Sequence, residues 1–444
     1  MPSLPAEFLN SISTCKVPDQ AGFEAIHESG EQVTSIRLNP FKPFTPEFEL
    51  SEAVPWSRFG HYLQERPYFT HDPLFHAGCY YVQEAASMFI EQALVQHADL
   101  DAKLKILDLC AAPGGKSTLI NSLMNSESLL VANETVKSRA DVLAQNLSRW
   151  GTCNTVVSNV QPDKFSAMPG YFDVLVVDAP CSGSGLFRKQ PEALEEWSIE
   201  AVRSCSLRQK SILREGLKAL KPGGLLIYST CSYSIEENED VLNWLMTEFR
   251  MQNLPIQTKP DWAITSSGEG YRFYPHLNRS EGFYCAVLRK TTEDSSPYRN
   301  TKPGSGISTG ELKILTPFVN HEGLEFLQVN QGFHLCNALV KAFMQNFGSA
   351  MYLKKAGTLM GEFKGGQLIP NQELAWSIHL NEAVKHVNLN KEAALQYLKK
   401  DIFPFPETDH GLLHIRYRNF GIGWAKLMER RINNYLPAEL RILK

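Results

Sequence analysis

Short apolar runs alternate with stretches of helical periodicity between about residues 104 and 290. Such runs, bounded by turn residues and separated by helices, predict a parallel α/β sheet. The predicted strands are 105–110, 128–134, 154–159, 172–180, 224–231 and 282–290. The predicted helices are 116–125, 136–150, about 192–220 and 236–250. The last of these helices is expected to start at a capping box formed by Ser234 and Glu237.

The pattern changes on both sides of this region. Residues 291–310 are rich in Ser, Thr, Pro and Gly, a composition that predicts a linker. The first hundred residues are less regular and contain aromatic and proline-rich segments. We therefore expect a small N-terminal α+β domain at 1–100, the α/β sheet domain at 101–290 and a C-terminal α+β domain at 311–444.

Composition narrows the class of protein. Hydrophobic residues make up 43% of the 444 residues and charged residues 21%, which is typical of a globular protein. Apolar runs stay well short of the roughly 20 residues that span a bilayer, and the N-terminus lacks the pattern of a signal peptide. We expect a cytoplasmic protein that does not contact membranes. The nine cysteines form no CxxC pair, so we expect neither a metal site nor a disulfide framework.

Net charge gives a weaker indication of a partner. The overall value is −4, but residues 414–444 contain seven Lys or Arg and two acids. A local basic surplus can be a solvated face or a surface that neutralises phosphates. Composition alone leaves these two alternatives open.

The segment CAAPGGKST, residues 110–118, follows a predicted strand and opens a helix. A phosphate-binding P-loop needs glycine where this sequence has Cys110, so that function is disfavoured. A glycine turn between a strand and a helix N-terminus suits a nucleoside cofactor that meets backbone N–H groups. Gly114 and Gly115 would let the backbone approach such a ligand without a Cβ in the way.

Glu134 ends the next predicted strand, 19 residues after Gly115. In dinucleotide-binding folds an acid about 20 residues beyond the glycine turn accepts hydrogen bonds from ribose hydroxyls. A lone glutamate at a strand end is more often a solvated terminus. The spacing from the glycine turn favours the ribose-binding interpretation.

Two further motifs end neighbouring predicted strands. DAPCSGSGLFRK, residues 178–189, contains Asp178 and Cys181, and STCSYS, residues 229–234, contains Cys231. Because open α/β sheets bind ligands at the carboxyl ends of their strands, we expect these three side chains to lie at one edge. Burial as small apolar residues explains either cysteine alone, but it explains the pair beside an acid poorly.

Taken together, these motifs resemble those of the Sun-type RNA (cytosine-5) methyltransferases. SIRLNP (35–40), YYVQEAASM (80–88) and RFYPHLNRSEGFYCAVLRK (272–290) are also similar to signatures of that family. The tail NFGIGWAKLMERRINNYLPAELRI (419–442) resembles the PUA-like RNA-binding domain of its bacterial ribosomal members. The resemblance implies a Rossmann-like methyltransferase sheet and S-adenosylmethionine as cofactor.

The resemblance also implies residue roles. Glu134, Asp178 and the loop before the helix would bind the cofactor; that loop consists of Cys110, Ala111, Ala112, Pro113, Gly114, Gly115 and Lys116. The family usually has an aspartate where this chain has Gln161, with Asn159 nearby. An amide can still hydrogen-bond the adenine amino group, so we expect Gln161 or Asn159 to make that contact.

For the reaction, the resemblance assigns the nucleophile to Cys231, which would add to carbon 6 of the cytosine and activate carbon 5. Cys181 would assist the later loss of the carbon 5 proton and the release of the enzyme. Asp178 would hydrogen-bond the cytosine edge and stabilise charge at its ring nitrogen. Arg188 and Lys189 would hold adjacent phosphates, or form a solvated basic pair.

The substrate is expected to be RNA bound by a monomeric protein without a metal ion. The C-terminal resemblance favours ribosomal RNA, and transfer RNA is the alternative within the same chemistry. A different class of function is a catalytically idle RNA-binding assembly factor that retains the fold. The presence of Cys231, Cys181 and Asp178 disfavours that alternative, since a scaffold could lose each of them.

Overall fold

A computed structural model describes residues 4–292, 307–405, 410–429 and 431–443. Most of the predicted linker, 291–310, lies outside the described residues. Across the described ranges, no helix is both long enough and apolar enough to cross a membrane.

The N-terminal region contains a small antiparallel sheet and short helices. Its strands are β1 (Ser35–Leu38), β2 (Leu50–Ala53), β3 (Gly60–Leu63) and β4 (Tyr80–Val82), in the order β2-β3-β1-β4. Its helices are α1 (Ala6–Ile12), α2 (Gln20–Ser29), α3 (Pro73–His76) and α4 (Ile90–His97).

Arg37 on β1 fixes this region to the next domain. Its side chain is fully buried, and burial lowers its pKa to about 9. The guanidinium donates to Gln83 (2.9 Å), Thr118 (2.5 Å) and Ser122 (3.1 Å). Because Thr118 and Ser122 lie just after the predicted cofactor loop, the N-terminal sheet is held directly against it.

The central domain is built on a ten-stranded sheet. Its strands in this part of the chain are β5 (Lys105–Asp108), β6 (Leu129–Asn133), β7 (Thr155–Ser158), β8 (Phe172–Asp178), β9 (Leu220–Thr230), β10 (Met251–Asn253), β11 (Thr265–Ser267), β12 (Gly270–Phe273) and β13 (Phe283–Lys290). The accompanying helices are α5 (Gly115–Leu123), α6 (Lys137–Trp150), α7 (Glu192–Glu196), α8 (Ile199–Ala219) and α9 (Glu239–Glu248).

The strand order places the site. The sheet runs β11-β12-β13-β9-β8-β5-β6-β7, and β5 to β9 pair in parallel. The chain builds β5, β6 and β7 in one direction and then returns to place β8 on the other side of β5. Ligands of open α/β sheets bind at the carboxyl ends of the strands at such a reversal. The predicted Rossmann-like sheet is confirmed.

Two predicted helices differ from the structure. The predicted helix 192–220 is two helices, α7 and α8, and the Ser198 hydroxyl caps α8 by accepting from the Ala201 N–H at 3.0 Å. The predicted helix 236–250 begins only at Glu239, and the Ser234 side chain makes no capping hydrogen bond. The capping-box prediction is therefore wrong, because Glu237 turns inward to a different set of partners.

The region after residue 307 contains two more four-stranded sheets. Its strands are β14 (Glu325–Val329), β15 (Gly332–Cys336), β16 (Leu353–Ala356), β17 (Thr358–Lys364), β18 (Gln367–Pro370), β19 (His386–Leu389), β20 (Gly411–Tyr417), β21 (Phe420–Met428) and β22 (Arg431–Asn434). Its helices are α10 (Thr309–Leu315), α11 (Ala338–Phe347), α12 (Gln372–Trp376) and α13 (Lys391–Lys399).

The two sheets run β14-β15-β17-β18 and β19-β20-β21-β22, while β16 pairs with β7 and completes the central sheet. Apolar residues of the last sheet share a core with the N-terminal domain, for example Leu413 and Ile415 with Ile36 and Tyr80. The segment predicted as one domain, 311–444, thus has two sheets and packs on both earlier domains.

Candidate active site

The predicted cofactor loop lies between β5 and α5 at the carboxyl edge of the sheet. Gly114 precedes α5 with φ of 110°, a conformation that favours glycine, and a Cβ there would lie 3.2 Å from Leu143. Helix α6 holds the loop by two side-chain donors, Arg139 to the Ala112 carbonyl (3.0 Å) and Asn146 to the Pro113 carbonyl (2.8 Å). These contacts fix the loop against helix α6.

A cavity of about 910 Å³, here called the large lobe, opens beside this loop. Five of the predicted cofactor-binding residues line it: Cys110, Ala112, Glu134, Gln161 and Asp178. The volume lies in the range of about 300–1,000 Å³ that is usual for small-molecule sites. It borders the ends of β5, β6 and β8, as a nucleoside cofactor in this fold requires.

Glu134 follows β6 and is 5% exposed. Its Oε1 accepts from the Val136 N–H at 2.8 Å, and its Oε2 lies 3.7 Å from the Arg139 guanidinium. Arg139 on α6 and the backbone N–H of Val136, just before α6, thus orient the carboxylate. The carboxylate also lines the large lobe. This arrangement fits acceptance of hydrogen bonds from the ribose of a nucleoside.

The two amide candidates for the adenine contact are in different environments. Asn159 donates to the Glu134 carbonyl (2.7 Å) and the Thr135 carbonyl (2.9 Å), which fixes the chain after β6. Gln161 is exposed and lines the large lobe. Asp163, which the sequence reasoning did not single out, also lines it. Gln161 and Asp163 are therefore the side chains available to a ligand at this end.

A second cavity of about 250 Å³, the small lobe, adjoins the first. The two lobes share Cys110, Ala112, Asp178, Leu186 and Cys231. The small lobe is also lined by residues of the cofactor loop and by residues of two distant segments: Ala111, Pro113, Gly115, Lys116, Tyr81, Val82, Gln83, Glu84, Ser87, Glu281, Gly282 and Phe283. Gly114 lines neither lobe. The N-terminal domain therefore contributes directly to the site.

Lys116 and Asp178 form an ion pair where the lobes meet. The Lys116 Nζ lies 2.7 Å from Asp178 Oδ2, and the Ser229 hydroxyl donates to Asp178 Oδ1 at 2.7 Å. Burial opposes the charge of Lys116, but Asp178 and then Cys231 outweigh it and raise the pKa of the lysine. Lys116, predicted in the cofactor set, thus lines the small lobe as a firmly charged cation.

The two predicted catalytic cysteines are brought together. Both are free thiols, and the Cys181 and Cys231 sulfurs lie 2.9 Å apart, although the residues are 50 positions apart in the chain. The contact with Cys231 comes first, and burial second, among the causes that raise the pKa of Cys181 well above its usual value. Cys181 therefore favours its protonated form, and its sulfur lies within hydrogen-bonding distance of the Cys231 sulfur.

Glycines let three motifs converge around Cys231. The Gly185 N–H donates to the Cys231 carbonyl at 2.8 Å, and the Gly282 N–H donates to the Gly185 carbonyl at 3.0 Å. A Cβ at Gly185 would lie 2.4 Å from the Gly282 carbonyl oxygen and 2.8 Å from that of Cys231. Any larger residue would force these loops apart, which explains Gly185 of the DAPCSGSG segment and Gly282 of the SEGF segment.

Sequence reasoning missed the role of Glu237. This fully buried side chain accepts from the Ser182 N–H (2.8 Å) and hydroxyl (2.6 Å) and from the Ser232 hydroxyl (2.5 Å). Each serine directly follows one of the two cysteines. The repeated Cys-Ser pair was the only signal in the sequence, and it did not indicate a common partner.

Both interpretations offered for Arg188 are wrong. Its side chain is 2% exposed, its Nη1 lies 3.9 Å from the Glu281 carboxylate, and its guanidinium donates to the carbonyls of Glu31 and Ser280. It ties the N-terminal domain to the SEGF segment and cannot reach a phosphate in solvent. Lys189 is exposed and stays a candidate for such a contact.

The basic surplus at 414–444 is partly used within the protein. Arg416 is 3% exposed and lies 2.6 Å from the Glu382 carboxylate, while Arg418 donates to the Thr45 carbonyl of the N-terminal domain at 3.0 Å. Arg441 donates to the Lys399 carbonyl. Lys426 on β21 is exposed and available to a partner. Fewer cations than the sequence count indicated can therefore meet phosphates.

Three family models match parts of this chain, and all three describe RNA methyltransferases of one kind or their domains. Residues 77–289 match the family model described as 16S rRNA methyltransferase RsmB/F. Residues 4–85 match the N-terminal domain of 16S rRNA methyltransferase RsmF, and residues 384–442 match the methyltransferase RsmF PUA domain. The expected C-terminal PUA-like domain is confirmed.

Individual relatives agree. The ribosomal RNA small subunit methyltransferase F of Pectobacterium atrosepticum is 33% identical, with 99% of this chain and 96% of that protein covered. The protein of the same name from Aeromonas salmonicida is 32% identical, with 91% and 90% covered.

Solved structures support the fold. A methyltransferase homolog protein from Pyrococcus horikoshii superposes with a TM-score of 0.54 at 29% identity, over 64% of this chain and 94% of that one. The NSun6 protein of Pyrococcus horikoshii, determined with SFG, gives a TM-score of 0.54 at 20% identity, over 65% and 99%. The full-length match, the fold and the two-lobed site agree, and the chain belongs to the RsmB/F family of S-adenosylmethionine-dependent methyltransferases.

Proposed function

We propose that this protein methylates carbon 5 of a cytosine in ribosomal RNA by covalent catalysis through Cys231. The observation that carries the proposal is the pair of free sulfurs, Cys181 and Cys231, which lie 2.9 Å apart. Cys231 lines both lobes, and Cys181 lines the large lobe. A methyl transfer to an oxygen or an exocyclic nitrogen has no need of two adjacent thiols. Carbon 5 of cytosine is a poor nucleophile and does need covalent activation.

The large lobe holds the cofactor in this proposal. Glu134 would accept the ribose hydroxyls, and Gln161 or Asp163 would meet the adenine. When bound, S-adenosylmethionine supplies an electrophilic methyl group on a sulfonium. The small lobe then receives the cytosine, unstacked from its neighbours as enzymes acting on bases require.

Cys231 begins the reaction. Its thiolate forms a bond to carbon 6, and the electron pair of the ring double bond becomes available at carbon 5. Cys181 keeps its proton at this stage and stabilises the thiolate by donating to it across 2.9 Å. The charged Lys116 adds a favourable electrostatic interaction with Cys231.

Asp178 and Lys116 orient the base. The Ser229 hydroxyl and the Lys116 ammonium hold the Asp178 carboxylate at the junction of the lobes. In that position the pair would hydrogen-bond the polar edge of the cytosine and stabilise the charge that develops on its ring. Preorganised donors of this kind need no reorganisation during the reaction.

The reaction ends by elimination. Carbon 5 takes the methyl group and loses its proton, and the bond between the Cys231 sulfur and carbon 6 then breaks to restore the ring. We assign assistance in this proton loss to Cys181, after its own proton has passed to water. The environment that raises the pKa of Cys181 makes the resulting thiolate a stronger base.

Ribosomal RNA is proposed as the substrate because the matched relatives are ribosomal RNA small subunit methyltransferases and the chain has the matching terminal domains. Such a substrate implies a cytoplasmic enzyme. An idle assembly factor would not need the polar contacts that hold Cys181, Cys231 and Asp178 in place.

The test is methylation by the purified protein. Small-subunit ribosomal RNA, assembled small subunits and transfer RNA are each incubated with S-adenosylmethionine, and 5-methylcytosine is mapped by bisulfite sequencing. We expect a single methylated cytosine in the ribosomal substrate. Methylation of another nucleoside would contradict the cytosine-5 chemistry, and methylation of transfer RNA alone would contradict the ribosomal assignment.

A further inference from the structure

We propose that Glu237 is a positioning residue that sets the distance between the two catalytic sulfurs by binding the residue after each cysteine. Its Oε1 accepts from the Ser182 N–H at 2.8 Å, and its Oε2 accepts from the hydroxyls of Ser182 (2.6 Å) and Ser232 (2.5 Å). One buried carboxylate thus joins the loop after β8 to the loop after β9. This inference rests on the proposed function.

The carboxylate is itself held from the opposite side. The Gln209 side chain on α8 donates to Glu237 Oε1 at 3.1 Å and to the Pro180 carbonyl at 3.1 Å. The Tyr228 hydroxyl donates to the Glu237 carbonyl at 2.6 Å. Helix α8 and strand β9 therefore fix the position from which Glu237 holds the two loops.

Burial of a carboxylate at this position costs free energy that a purely structural contact would not require. Glu237 is fully buried, and burial raises the pKa of its carboxyl group despite four donors. No cation pairs with it among the ion pairs of the described residues. A neutral side chain would hold a loop at lower cost, but a carboxylate accepts from both serines at once. Its negative charge also helps to keep the neighbouring Cys181 protonated.

The effect on the reaction follows from geometry. If the loops separate, Cys181 no longer stabilises the Cys231 thiolate and no longer lies beside carbon 5. A displacement of about 1 Å at a reacting centre can lower a rate by about 100-fold. Glu237 lines neither lobe, so binding of RNA and cofactor should persist.

The experiment compares Glu237→Ala and Glu237→Gln with Glu236→Gln, a matched change at the exposed neighbouring residue. We expect Glu237→Ala to lower kcat about 100-fold, with the KM for RNA and the Kd for S-adenosylmethionine within about threefold of the parent. Glu237→Gln should recover at least tenfold of that loss, because its amide can accept from the Ser182 N–H and donate to the serine hydroxyls. Glu236→Gln should match the parent.

A readout independent of methylation is bridging of the two thiols by phenylarsine oxide, mapped by mass spectrometry of tryptic peptides. The parent and Glu236→Gln should bridge Cys181 to Cys231, and Glu237→Ala should not. Unchanged bridging, or lost bridging with unchanged kcat, would overturn the inference. If Glu237→Ala loses bridging but the parent protein makes no 5-methylcytosine, the proposed function is wrong instead. If Glu237→Ala does not fold, Ser232→Ala, at a side chain that lines neither lobe, takes its place with the same criteria.

Discussion

The residues that line the large lobe come from one region of the chain, whereas those that line the small lobe come from three separate regions. Among the residues that the structure describes, those lining the large lobe all lie from Leu109 to Cys231, at the strand ends and helices of one α/β unit. The small lobe adds residues 81–84 of the N-terminal domain and residues 281–283, and the Glu281 N–H donates to the Glu84 carboxylate at 2.9 Å. The proposed cofactor site thus follows from the fold itself. The proposed substrate site depends on packing of an added domain against that fold.

This difference assigns separate tasks to neighbouring residues. A change confined to the large lobe should alter cofactor affinity, and a change confined to the small lobe should alter turnover or RNA binding. Residues at the junction should affect both. The site residues can therefore be tested by asking which quantity each substitution changes.

The largest effects are expected at the cysteine pair, of which Cys231 lies at the junction and Cys181 lines the large lobe. Cys231→Ala should abolish methylation, because it removes the proposed nucleophile, and should leave no covalent RNA adduct. Cys181→Ala should still form the adduct but release it slowly. Denaturing gels of each variant with RNA and S-adenosylmethionine would show protein–RNA conjugates for the second variant alone. The reverse pattern would make Cys181 the nucleophile, and two fully active variants would refute covalent catalysis.

The next largest effect is expected from Lys116→Met in the small lobe. The variant keeps the apolar stem and removes the ammonium, so Asp178 loses its partner at 2.7 Å and the developing charge loses a stabilising group. We expect kcat to fall about 100-fold, as for other preorganised electrostatic groups. Calorimetry should give an unchanged Kd for S-adenosylmethionine.

The control for that variant is Lys103→Met, at a lysine whose side chain is 62% exposed. It should behave as the parent in both assays. If Lys116→Met bound S-adenosylmethionine tenfold more weakly, this lysine would belong functionally to the cofactor site, as the sequence resemblance implied. The proposed separation of tasks between the two lobes would then be wrong.

Glu134→Ala tests the large lobe with a more moderate effect. Loss of charged acceptors for the ribose should raise the Kd for S-adenosylmethionine at least tenfold, since hydrogen bonds to charged groups contribute about 1.5–3 kcal/mol. At saturating cofactor, kcat should stay within about threefold of the parent. Glu127→Gln, at an exposed acid outside both lobes, is the matched control. An unchanged Kd would mean that Glu134 only orients the chain around Arg139 and Val136.

The same division explains what the sequence could predict. The glycine turn, Glu134 and the strand-end cysteines were placed correctly because strand periodicity fixes which residues reach the carboxyl edge of a parallel sheet. Glu237 and Arg188 were misread because local rules compare a residue with neighbours three or four positions away. Their actual partners, Ser182 and Glu31, are 55 and 157 positions away. Only the folded chain shows such contacts.

The Lys116 side chain illustrates the same limit within one motif. Its backbone belongs to the cofactor loop, yet its side chain crosses to Asp178 on another strand. A motif predicts where a segment lies, and not which cavity each side chain enters. The small lobe could be predicted in part, from the signatures at 80–88 and 272–290. The contact between Glu84 and Glu281, which joins these two segments, could not be predicted.

The smallest effect is expected at Asp108, which ends β5 beneath the cofactor loop. Its side chain is fully buried, Ser117 donates to its Oδ2 at 2.6 Å, and its Oδ1 has no hydrogen-bond partner within the described part of the chain. Burial raises the pKa of this carboxyl to about 7, against about 3.9 in an unfolded chain. A raised pKa means that the folded state favours the protonated acid. The associated stability is therefore complete below about pH 4 and is lost as the pH rises through about 7.

Asp108→Asn should remove this dependence, because the amide stays neutral and can still accept from Ser117. We expect the Tm of the parent to fall between pH 5 and pH 8 by a few degrees more than that of the variant, measured by differential scanning fluorimetry in matched ionic strength. Asp99→Asn, at an exposed aspartate, should follow the parent. If Asp108→Asn shows the full pH dependence, the titration belongs to Glu281 of the small lobe, whose pKa burial also raises to about 7. The pH sensitivity would then lie on the substrate side of the site.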